Sequence, residues 1–160
     1  MQALIETTMY QMGQIFLFPT LALIALLFLY SCYSLGAFAV QAWQRRSGQG
    51  RPLVAWWQSN SRAGADELDV RAHKLLEAAR IATRIAPMMG LVATMIPMGP
   101  AMKSLSDGNL AAVSENLMVA FSAVILALIS ASATFLVVNI RRRWLAEEIL
   151  EIETLRGKGA

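Results

Sequence analysis

Three long runs of this 160-residue chain hold no charged side chain, and the residues inside them that could take part in chemistry are hydroxyls. The informative ones lie in the second and third runs: Thr94 in the middle run and Ser122, Ser130, Ser132 and Thr134 in the last. Inside an apolar helix a hydroxyl either bonds its own backbone and permits tight packing, or lines a wet path. Small residues accompany them. Thr94 is flanked by Gly90 and Pro97, and Ala120, Ala123, Ala127, Ala131 and Thr134 recur three or four apart, a spacing that lets helices approach closely. No Asp, Glu, Lys or Arg lies deep in any run, so a proton-carrying role would need a partner to supply the titratable group.

Other chemistry finds little support. One cysteine, Cys32, and one histidine, His73, in different segments do not make a Cys/His metal site, and no glycine-rich phosphate loop follows a strand pattern. Neither a cofactor nor a metal is expected, and there is no catalytic constellation, so the chain reads as a non-enzyme. Cys32 reads as a small packing residue and His73 as a solvated one.

The elements that carry these residues follow from composition. Hydrophobic residues make up 56% of the chain and charged ones 16%, and mean hydropathy is +0.49, which points to lipid as the solvent. The charge-free runs extend from Thr7 to Gln44, from Ile85 to Met102 and from Asn116 to Ile140. Roughly 17–25 apolar residues cross a bilayer, so the fold class is an all-α membrane protein with three transmembrane helices. The leading run has no basic residues before it, unlike a signal peptide, and is expected to stay in the mature protein. Thirteen of the fourteen basic residues lie between the first and second runs or after the third. That asymmetry places the amino terminus outside and the carboxyl terminus in the cytoplasm of a cell-membrane protein, and gives no nucleic-acid footprint.

Along the chain, residues 1–14 read as an outer interfacial segment, with Leu4, Tyr10 and Met12 among polar neighbours, and 15–43 as the first span. Residues 44–65 form a cytoplasmic loop or surface helix with Trp56 and Trp57 at the membrane surface. Leu68, Leu75, Leu76, Ala79 and Ala82 mark an amphipathic cytoplasmic helix over 66–84 that feeds the second span, 85–103. An outer loop, 104–112, precedes the third span, 113–141. The tail, 142–160, continues as a helix with Leu145, Ile149, Ile152 and Leu155 in a stripe. Arg141, Arg142, Arg143 and Trp144 are expected to anchor the inner surface.

The stretches RIAPMMGLVATMIPMGPAM and NLMVAFSAVILALISASATFLVVNIRRRW resemble the second and third spans of the MotA/TolQ/ExbB proton channel family. They share an Ala-Pro-x-x-Gly-Leu start, a mid-span Thr, a short outer loop, and a small-residue-rich span ending in Asn and basic residues. The resemblance implies a homopentamer around a central pore. It also implies a single-span ExbD/TolR/MotB-like partner whose membrane Asp carries the proton, and the conversion of proton-motive force to mechanical work. It maps the family's pore-facing Thr onto Thr94 and implies a pore lined by Gly90, Pro97, Ala120, Ala123, Val124, Ala127, Ala131 and Thr134, with Ser122 and Ser130 as pore hydroxyls. Counting back from Asn139, the third span's usual hydroxyl position holds Val124. Ser122 lies two residues earlier, about 200° around the helix. The alternative from another class is a non-conducting oligomeric scaffold that anchors another complex.

Overall fold

The computed structural model describes residues 2–47, 50–60 and 64–158, with side chains at Thr8, 11–47, 50–60 and 64–157. Those residues form four helices: α1 (Gln2–Arg46), α2 (Pro52–Ser59), α3 (Ala65–Ser106) and α4 (Leu110–Lys158). Three are long and apolar enough to cross a membrane, over Gln11–Arg46, Ala65–Ser106 and Leu110–Gly157. No strand occurs among the described residues.

Long helices form here because little interrupts them. Helix α1 runs from Gln2 through the expected interfacial segment, 1–14, into the first span without interruption. Gly13 stands alone, and an isolated glycine only weakens a helix. Pro19 lies inside α1 and lacks an N–H, while its neighbour Thr20 donates its hydroxyl to the Phe16 carbonyl at 2.7 Å. That bond does not replace the one Pro19 lacks, whose acceptor would be Ile15 O; bilayer helices tolerate such prolines where neighbouring groups and local adjustments meet the freed carbonyl. The side chains of Leu4 and Tyr10 lie outside the described residues; Met12 is exposed.

The α3–α4 connection is shorter than the loop expected over 104–112. Gly108, at φ +73°, takes the left-handed conformation that ends a helix, with its N–H donating to Leu105 O at 3.1 Å and the Asn109 N–H to Ser104 O at 2.9 Å. Asn109 then starts the next helix: its Oδ1 accepts the Ala112 N–H at 3.1 Å. One residue stops α3 and its neighbour caps α4, so the chain reverses over Asp107–Asn109.

The chain divides into two compact units, Met1–Ser31 with Ala82–Ser132, and Cys32–Ile81 with Ala133–Ala160. In the first, Ile24 of α1 packs with Ala93 of α3 and with Ala123 and Ala127 of α4, flanked by Leu21, Met89 and Leu126. In the second, α2, α3 and α4 share a core of Leu53, Leu68, Ala72, Leu76, Leu145 and Ile152. Trp56 and Trp57, both half-buried, pack against this core. Arg71 lies 5.7 Å over the Trp56 ring, which adds a cation–π contact to that packing.

Candidate functional site

In the first unit, α3 and α4 meet along small residues. Ala86, Gly90, Ala93, Pro97 and Ala101 are buried on α3, and Ala120, Ala123, Ala127 and Ala131 on α4. The closest approach is at Gly90. A β-carbon there would lie 2.9 Å from Ala127 Cβ and 3.4 Å from Val124 Cγ2, inside normal contact, so glycine is what permits the two backbones to come this near.

Thr94 sits one turn beyond Gly90 on α3, half-buried at the edge of this seam. Its hydroxyl donates to the Leu91 carbonyl at 2.7 Å. The donor is thereby occupied, while the oxygen lone pairs face outward from that bond and can accept a hydrogen bond from another group. Ser122 and Ser130 behave alike: Ser122, exposed, donates to Met118 O at 2.8 Å, and Ser130, buried, donates to Leu126 O at 2.7 Å. Each of these three hydroxyls turns its proton onto the carbonyl three or four residues back.

The residues expected to line a pore therefore fall into two groups. Gly90, Pro97, Ala120, Ala123, Ala127, Ala131 and Ser130 are buried within the first unit, where they form or flank the seam between α3 and α4. Thr94 and Val124 are half-buried and Ser122 is exposed, so these three retain a face that a further helix could reach. Thr134, in the second unit, is 1% exposed. On α3, Met88, Leu91, Met95, Met98 and Met102 form an exposed apolar stripe beside the seam.

In the second unit the expected surface anchors divide too. Arg142 and Arg143 are exposed, and Arg143 lies 3.7 Å from Glu147. Trp144 is half-buried: its ring stacks on Phe38 at 5.2 Å and lies 4.7 Å under the Arg45 guanidinium. Arg141 is half-buried beside it.

A buried charge cluster here had no place in the sequence reading. Glu148, 1% exposed, accepts from Arg45 Nη2 at 2.6 Å and from the Leu53 N–H at 2.8 Å. Arg45 Nη2 also donates to the Trp144 carbonyl at 3.3 Å. Glu148 lies beyond the charge-free run that ends at Ile140. Burial raises its carboxyl above the usual value, against the lowering effects of the Leu53 N–H and the Arg45 charge. The legible signal was its position: Glu148 falls on the Leu145, Ile149, Ile152 stripe, where a carboxylate on a core-facing line demands a partner.

Three spanning-length apolar helices, with two of them meeting at a glycine and a hydroxyl at the margin of that contact, define a multi-pass helical membrane protein. The profile of the MotA/TolQ/ExbB proton channel family matches residues 55–154, more than half of the chain. The chain belongs to that family, as the stretch around Thr94 indicated. No curated protein and no solved structure matches it.

Proposed function

We propose that this chain is the proton-channel subunit of an ion-driven membrane motor, and that it assembles as a homopentamer with its amino terminus outside and its carboxyl terminus in the cytoplasm. In this reading it carries out no enzymatic reaction. A single-span ExbD/TolR/MotB-like partner supplies an intramembrane Asp, and proton passage through that carboxyl drives one ring against the other.

The observation that carries the reading is Thr94: a half-open hydroxyl at the edge of a seam with no charged residue in its run. When the partner carboxyl is protonated, its O–H donates to the Thr94 oxygen, whose own proton stays on Leu91 O. When the carboxyl is ionised, a rotation of the Thr94 hydroxyl turns that proton onto the carboxylate. One side chain thus accommodates both states without a charge of its own. The buried small residues serve by fixing α3 against α4, which holds Thr94 at a constant azimuth.

Proton flux into liposomes holding the chain with its partner is the test. Wild type is expected to conduct and Thr94→Val to lose most of the flux; equal flux from the two, or none from either, overturns the reading. A second reading, a non-conducting scaffold, draws on Val124, which places hydrocarbon at the position the family usually gives a hydroxyl and packs toward Gly90. The two separate on co-purification, because the motor requires a single-span subunit with an intramembrane Asp and the scaffold does not.

A further inference from the structure

In the second unit α3 and α4 flank a groove of about 190 Å³ whose apolar wall includes Leu76, Leu145 and Ile149. Arg80 and Arg142 line it as well, one from each helix. Arg80 is half-buried and Arg142 exposed, and among the described residues neither guanidinium pairs with a carboxylate. The acidic side chains of α4 close to them are engaged elsewhere, Glu147 and Glu148 with Arg45 and Glu151 with Arg51. The two arginines share one end of the groove. Leu76 and Leu145 belong to one core and α4 runs back along α3, so Arg80, four residues after Leu76, and Arg142, three before Leu145, lie on the same side of that pair. Asp69 is the one carboxylate-bearing residue in the lining, and it stands eleven residues from Arg80, about 16 Å along α3. Between them His73 turns Nδ1 toward the Asp69 carbonyl at 3.0 Å. Glu77, the acid nearest to Arg80 in sequence, neither lines the groove nor pairs with it. One end of the groove is therefore positive.

We infer that Arg80 and Arg142 hold a phosphate at this end of the groove, and that the headgroup of an anionic phospholipid supplies it. The level of the two residues favours that source. Arg142 follows the charge-free run ending at Ile140 by two residues, and Arg80 precedes the run starting at Ile85 by five, about 3 Å and 7.5 Å of helix. Lipid phosphates lie in a layer of that depth, since headgroups add roughly 5–7 Å to each side of the hydrocarbon core. Basic grooves between spanning helices at this level suit anionic headgroups. A planar guanidinium also meets phosphate with two parallel hydrogen bonds, and a wall built on buried Leu76 and Leu145 excludes part of the water that would screen them. A soluble anion meets the same two arginines but gains nothing from their place beside the apolar runs.

Native mass spectrometry of the purified full chain, given equal amounts of phosphatidylglycerol and phosphatidylcholine, tests the assignment. Wild type is expected to retain phosphatidylglycerol about tenfold better than phosphatidylcholine, the discrimination of roughly one charge-assisted contact. Arg80→Gln and Arg142→Gln should each remove most of that preference. Arg46→Gln, which deletes the same charge at an exposed position outside the groove, should leave it intact. Ala146 is exposed and lines the groove one turn from Arg142, so Ala146→Glu sets a carboxylate there with both arginines in place. It should lower the preference as well, and it keeps the test open if an arginine variant fails to fold. Equal retention of the two lipids by wild type, undiminished preference in the groove variants, or an equal loss in Arg46→Gln overturns the inference. Displacement of phosphatidylglycerol by millimolar inorganic phosphate, but not by chloride at the same ionic strength, overturns the lipid as occupant in favour of a soluble anion.

Discussion

The Glu148 carboxylate accepts the Leu53 N–H at 2.8 Å across 95 positions of sequence. Helix α2 has Pro52 in its first turn and no capping side chain of its own, so one of its orphan donors is satisfied from α4. The same carboxylate binds Arg45 at the end of α1, and three elements are therefore tied at one buried group.

Removing that group should cost more than any one of its bonds. Glu148→Leu leaves the buried Leu53 N–H without its acceptor and the mostly buried Arg45 guanidinium with only the Trp144 carbonyl at 3.3 Å and Glu147 at 3.8 Å, a loss of about 3 kcal/mol by analogy with broken buried pairs. Oε1 serves Arg45 and Oε2 the Leu53 N–H, so Glu148→Gln keeps an acceptor for only one of them and turns its amide NH2 onto the other donor; it should lose about 1–2 kcal/mol, less than Glu148→Leu. Chemical unfolding of both variants in detergent measures the difference; equal stability of the two would show that Glu148 is not the tie.

A pH dependence follows with a definite sign. The folded-state value of Glu148 lies above its ordinary 4.5, chiefly because burial penalises the charged form. The folded protein therefore binds more protons than the unfolded chain in the interval above 4.5. This contribution is complete below the unfolded value and is lost as pH rises through the folded one. Wild type should accordingly lose stability relative to Glu148→Gln as pH rises through that interval, and the difference should level off beyond it. A difference that grows in favour of wild type would mean that Arg45 outweighs burial.

How far these features were legible varies from residue to residue. The charge-free runs marked the three long apolar helices, because bilayer helices advertise themselves by length alone. The Leu68, Leu76 and Leu145, Ile152 stripes pointed to packed helices, and those residues form the second unit's core. Leu75 and Leu155, read into the same stripes, are exposed, since periodicity fixes a face to within one position and not which neighbour fills it. The contacts that Trp56, Trp57 and Trp144 make inside the second unit are not legible in sequence, because an indole beside polar residues reads the same whether it meets headgroups, a protein core or both. Glu148 could be seen only as a misplaced charge. Its partners Arg45 and Leu53 come from distant segments, and a single sequence holds no signal for contacts between them.

The α3–α4 seam makes a steric prediction. Gly90→Ala would set a β-carbon 2.9 Å from Ala127 Cβ, and the helices must part to relieve it. Overpacking of this kind costs about 1–3 kcal/mol. The double variant with Ala127→Gly removes the opposing methyl and should recover a large share of the loss, a coupling a thermodynamic cycle reads directly. Additive losses in the cycle would mean that Gly90 and Ala127 do not share this contact.

Thr94→Val should separate stability from function. The Thr94 hydroxyl bonds its own helix at Leu91 and is half-buried, so valine, of similar shape, gives up one local hydrogen bond and little packing. The unfolding free energy should change by no more than about 1 kcal/mol, the usual net worth of one such bond. Gly90→Ala should behave in the opposite manner, weakening the α3–α4 contact while leaving the hydroxyl in place. Measuring unfolding and liposome proton flux on both variants therefore distinguishes two roles that adjacent turns of one helix carry. Loss of flux with intact stability at Thr94 identifies a group that meets the proton carrier. If Thr94→Val instead destabilised the chain as much as Gly90→Ala, the hydroxyl would be part of the seam, and its effect on flux would no longer argue for a place on the proton path.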